Sequence, residues 1–68
     1  MTIYKLKTYN AKGALVESRE EQSSDFMLIV RKLKKLLPYG FSCIIIDKYT
    51  NFKVCRVFRN GYEILKGR

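Results

Sequence analysis

The spacing of apolar residues along this chain switches from two to about 3.6 and back to two, which marks strands on either side of one helix. Thr2–Tyr9 alternates and is rich in β-branched and aromatic residues, so it reads as a strand. Asn10-Ala-Lys-Gly13 supplies a turn, and Ala14–Glu20 reads as a short, polar returning strand at a sheet edge. Residues 20–25 lead into a helix, with Ser23 or Ser24 as its cap and an acidic cluster at the positive end of its dipole. From Phe26 onward, Phe26, Ile29, Val30, Leu33, Leu36 and Leu37 share one arc, the core stripe of an amphipathic helix. Arg31, Lys32 and Lys35 face the other way, Lys34 sits at the flank, and Pro38 and Gly40 end the helix. Phe41–Asp47 and Phe52–Arg59 read as strands around a loop at Lys48–Asn51. Asn60-Gly61, a strong hairpin signal, leads to a fifth strand at Tyr62–Lys66. The expected fold is α+β: a two-layer ββαβββ domain, 1–68, with one amphipathic helix packed on an antiparallel sheet.

Pairing Asp47 with Asn51 sets Cys43 opposite Cys55, and an Asn-Gly turn sets Val57 opposite Ile64. One sheet face then carries Ile44, Ile46, Phe52, Val54, Phe58 and Leu65, and the other Phe41, Cys43, Ile45, Cys55, Val57, Tyr62 and Ile64. Both faces are apolar, and a single helix covers only one. Three explanations follow: a different register, an N-terminal hairpin folded over the second face, or an exposed platform that pairs with a second copy of the chain or a partner.

Charge adds a direction to this outline. The chain has 68 residues and a net charge of +8, and all of that excess falls in residues 31–68, which hold ten basic residues against Asp47 and Glu63. Residues 1–30 sum to zero. Such asymmetry within one domain points to a polyanionic partner. The start of the chain has no apolar signal region, and its longest apolar run, Phe26–Val30, is far too short to cross a membrane, so the expected location is cytoplasmic.

Little in the sequence suggests catalysis. There is no histidine, and no phosphate loop or nucleophile motif. Cys43 and Cys55 are too few for a structural zinc site and read as reduced core residues. The carboxylates near residue 25 lack the spacing of a calcium loop and suit a helix N-terminus. A non-enzymatic protein without cofactor or metal is therefore expected.

The candidate binding residues fall in two groups. Arg31, Lys32, Lys34 and Lys35 form a basic helix face, and no acid lies four residues away on the helix to balance them. Lys53, Arg56 and Arg59, with Tyr49 in the adjacent loop, place cations and an aromatic ring where they can hold phosphates and stack on a base. Lys66 and Arg68 add further charge. The helix cations are expected to point away from the sheet, and Lys53 and Arg59 from the opposite layer. The helix followed by three strands resembles in outline the front of a double-stranded-RNA-binding domain, but that family's loop motifs and final helix do not match here and no residue role is carried across. The expected function is a basic module that binds DNA or RNA mainly through phosphates. The alternative is a small modulator, of the kind carried by phages and mobile elements, that docks on an acidic protein surface.

Overall fold

The computed structural model describes the backbone of residues 1–67 and the side chains of residues 1–65; the side chains of Lys66 and Arg68 lie outside that description. Its elements run β1 (Thr2–Tyr9), β2 (Leu15–Ser23), α1 (Phe26–Leu36), β3 (Ser42–Asp47), β4 (Lys53–Phe58) and β5 (Gly61–Gly67). The strands form one antiparallel sheet in the order β2-β1-β3-β4-β5, with α1 on one face. This is the expected α+β arrangement of ββαβββ. Because β2 and β3 both pair antiparallel with β1, they run parallel to each other, and α1 is the crossover that carries the chain past β1.

Several local details differ from expectation. β2 runs on to Ser23, because Tyr4, Ile3 and Thr2 continue the ladder opposite Glu21, Gln22 and Ser23. Residues 20–23 are thus strand, and the helix cap is Asp25. Its carboxylate accepts the Met27 amide at 3.0 Å. Ser23 is buried and serves the bend before the helix instead: its hydroxyl donates to the Asp25 carbonyl at 2.8 Å.

On α1 the buried stripe is Ile29, Val30 and Leu33, continued by Leu37 just beyond the helix. Leu36 was expected in that stripe but is 64% exposed. It lies at the arc's outer edge, where it lines an open recess with Val16 and Glu17 of β2 instead of entering the core. The chain then turns through Gly40 at φ +84°; a Cβ there would come within 3.0 Å of Ala11, so the helix exit rests on the β1–β2 turn.

The registers of β3–β4 and β4–β5 each differ by two residues from those expected. Cys43 pairs with Val57 and Ile45 with Cys55; Val57 pairs with Tyr62 and Cys55 with Ile64. The hairpin turn is Arg59-Asn60, closed by Phe58 and Gly61. A type I′ turn at Asn60-Gly61 needs positive φ at both residues, and neither has it. A shift of two preserves side-chain parity, so the two faces keep most of their expected members. A bulge near Val54 adjusts the far end of β4, where Ile46 pairs with Lys53.

The helix covers the face carrying Tyr4, Leu6, Cys43, Ile45, Cys55 and Val57. The N-terminal hairpin does not fold over the other face; it extends the sheet at one edge. Yet Ile44 and Ile46 on that second face are only 8% and 6% exposed. Their strand neighbours are Lys5 and Lys7 on β1 and Arg56 and Lys53 on β4. Long aliphatic stems beside them shield the isoleucines while the charged heads reach water. The central residues of this face need no second copy to escape solvent.

Both cysteines are free and fully buried. Burial pushes the Cys43 thiol up, opposed by a hydrogen bond with Thr8; burial also raises Cys55, helped by the Glu63 carboxylate. A raised folded-state thiol pKa means that the unfolded chain loses its protons first as pH rises. The urea midpoint should therefore hold steady below the ordinary thiol range and fall as pH climbs through it. Neither thiol should react with a disulfide reagent faster than the protein opens. Rapid labelling under native conditions would show that the cysteines are not core residues.

Candidate nucleic-acid interface

The basic residues singled out by sequence do not form one surface. Lys32 reaches from α1 to Glu21 on β2, with Nζ 2.7 Å from the carboxylate, and Arg19 holds the same carboxylate at 3.4 Å. The acid missing from the helix is thus supplied by the neighbouring strand. Arg56 pairs with Glu63 across β4 and β5 at 3.4 Å, on the uncovered sheet face. Lys48 pairs with Glu20 at 3.0 Å. The Lys48 and Arg56 contacts are exposed and individually weak, and the Glu21 carboxylate is partly buried; each places an opposite charge next to the cation and lowers its value for an incoming anion.

Arg31, Lys34, Lys35 and Arg59 behave differently. They converge on one open recess of about 390 Å³. Among the described residues none of these four forms an ion pair with a carboxylate. Arg31, Lys34 and Lys35 share a helix flank because residues three and four apart are neighbours on an α-helix. The opposite flank, with Lys32 and Leu36, meets β2 at Glu21 and Val16. That arrangement turns the Arg31–Lys35 flank toward β4 and β5, where Arg59 stands in the connecting turn.

Arg59 therefore joins the helix cations, contrary to the expectation that it projects from the opposite layer. Its Nη1 donates to the Leu37 carbonyl at 3.2 Å, satisfying an acceptor at the helix C-terminus. Its guanidinium lies 4.6 Å from the centroid of the Tyr39 ring. Both contacts hold the side chain in place, and only one of the five guanidinium N–H groups is used on Leu37. Part of the local positive charge complements the helix dipole. The dipole is worth only about half a negative charge, however, against four cations. A large positive excess remains.

Tyr39 is a member of the site that the sequence reading missed. It is 77% exposed and sits between Pro38 and Gly40, where it read only as part of the helix stop. An aromatic residue held outside the core by a Pro-x-Gly segment was the available signal.

Tyr49 and Lys53 lie elsewhere. The Asp47 carboxylate accepts the Tyr49 amide at 2.8 Å and orders the β3–β4 loop, leaving the Tyr49 ring exposed. Lys53 begins β4, and Arg59 follows its end; six extended residues separate them by about 20 Å. The two groups occupy opposite ends of the sheet.

No family model, curated protein or solved structure matches this chain. No helix among the described residues is long and apolar enough to cross a membrane. Fixed cations in a recess can hold an anion and orient it.

Proposed function

We propose that this protein is a small non-enzymatic module that binds nucleic acid, mainly through phosphates held by Arg31, Lys34, Lys35 and Arg59. The observation that carries this reading is the convergence of these four cations from two elements without carboxylate partners, while Lys32, Lys48 and Arg56 are paired. Contact with three or four phosphates releases a similar number of counterions. Tripling the salt from about 50 to about 150 mM should then weaken binding about ten- to fiftyfold. A fluorescence anisotropy titration of labelled DNA and RNA across that range tests this. Absence of binding at the lower salt, or binding indifferent to salt, would overturn it.

A second reading, docking on an acidic protein surface, draws on a separate feature. A recess of about 350 Å³ between α1 and β2 is lined in part by Val16, Leu36 and Phe41. A mainly apolar recess that also bears Glu17 and Arg19 suits a protein side chain better than a phosphate. An acidic protein retained after nuclease treatment of a pull-down would favour this reading.

A further inference from the structure

A helix is about 10 Å across, whereas the five strands span about 19 Å from β2 to β5. At the β5 edge the helix leaves Tyr62 and Ile64 exposed, whereas its other flank reaches β2. At β2 the helix-covered face carries Glu17, Arg19 and Glu21, linked to one another and to Lys32 by ion pairs. At β5 the same face carries Tyr62 and Ile64, opposite Val57 and Cys55. Tyr62 is 45% exposed, although its strand partner Val57 is fully buried. The β2 edge has its charges paired beside the Val16–Leu36 recess; the β5 edge exposes Tyr62 and Ile64 on the strand that follows the Arg59 turn.

We infer that the recess takes single-stranded nucleic acid, whose unpaired bases stack on Tyr62 and Tyr39 while Arg31, Lys34, Lys35 and Arg59 hold the backbone. This deepens the proposed function and rests on it. Arg59 leaves the β4–β5 turn toward the helix, on the side that also bears Tyr62, and its guanidinium lies over one face of Tyr39. Tyr39 packs on that guanidinium, and Tyr62 presents a second exposed ring on the same side of the sheet, in the strand after the turn. Tyrosine rings and guanidinium planes both accept unpaired bases, irrespective of sequence. In a duplex the bases are stacked on each other and cannot reach such a platform. Charge complementarity alone does not choose between a duplex and a single strand; the exposed rings do.

The test compares oligo(dT), oligo(rU) and a duplex of equal length by anisotropy at low salt, with Tyr62→Leu, Tyr39→Leu and Tyr62→Phe. The better of the two single strands should bind at least about tenfold tighter than the duplex, and the two strands together show which sugar is preferred. Each leucine variant should weaken single-strand binding about fivefold to a hundredfold; Tyr62→Leu should change duplex binding less than twofold, and Tyr39→Leu, which also removes the ring that holds Arg59, should weaken duplex binding less than single-strand binding. Tyr62→Phe, which keeps the ring, should bind as the parent does. Equal affinity for duplex and single strand, or leucine variants that bind single strands normally, would overturn the inference while leaving phosphate binding intact. Failure to bind any of the three nucleic acids would overturn the proposed function as well.

Discussion

Replacing Lys34 and Lys35 together by glutamate should weaken nucleic-acid binding at about 50 mM salt by at least a hundredfold. Each phosphate contact contributes about tenfold at that salt through counterion release, and reversing the charge adds repulsion. The comparison that gives this meaning is Lys32→Ala with Arg56→Ala, which also removes two cations. Those two already face Glu21 and Glu63, so affinity should change less than about threefold. A general dependence on net charge predicts a much larger loss for that pair. Anisotropy on all variants distinguishes the two cases, with circular dichroism to show that each is folded. Glutamate in the last helical turn opposes the dipole and costs about 0.3–1 kcal/mol per residue. Lys34→Gln with Lys35→Gln, expected to lose about a hundredfold, avoids that complication.

The second large effect concerns the core. Ile45→Ala should destabilise the domain by about 2–5 kcal/mol, because Ile45 is fully buried at the centre of the sheet under the helix. A domain of this size has a total stability of only about 3–10 kcal/mol, so the variant should melt at least 10 °C lower or be partly unfolded at room temperature. Leu36→Ala removes a similar volume but, at an exposed position, should cost less than about 1 kcal/mol. Thermal melts of both variants test the assignment. Comparable losses would mean that the helix is rotated from the orientation described.

That pair also shows how far the sequence reaches. Period and propensity placed all five strands and the helix, because burial of one stripe or one face is a local pattern. Leu36 fell outside the core because the rotation of a helix on its sheet is not a property of the helix alone. Register was off by two residues for a similar reason: the choice between Arg59-Asn60 and Asn60-Gly61 as the turn is made by strand twist and packing together. Parity survived, so the faces were legible even where the pairings were not.

The candidate site was less legible. The cations were visible in the sequence, but their partners were not. Glu21 lies eleven residues before Lys32, and only the crossover of α1 above β1 brings the two together. Likewise, Arg59 joins the helix cations through a bond to Leu37, twenty-two residues away. Tyr39 acquires meaning only once Arg59 is seen against its ring, and Tyr62 only once it is seen exposed opposite the buried Val57.

The central claim is that the four unpaired cations, and not the basic residues as a whole, form the binding surface. A two-dimensional NMR titration with a short oligonucleotide tests this most directly. Shifts concentrated at residues 31–35, 39 and 59–62, with Tyr49, Lys53 and the β2 residues unmoved, are the predicted result. Shifts centred on Tyr49 and Lys53, or spread evenly over every lysine and arginine, would contradict it.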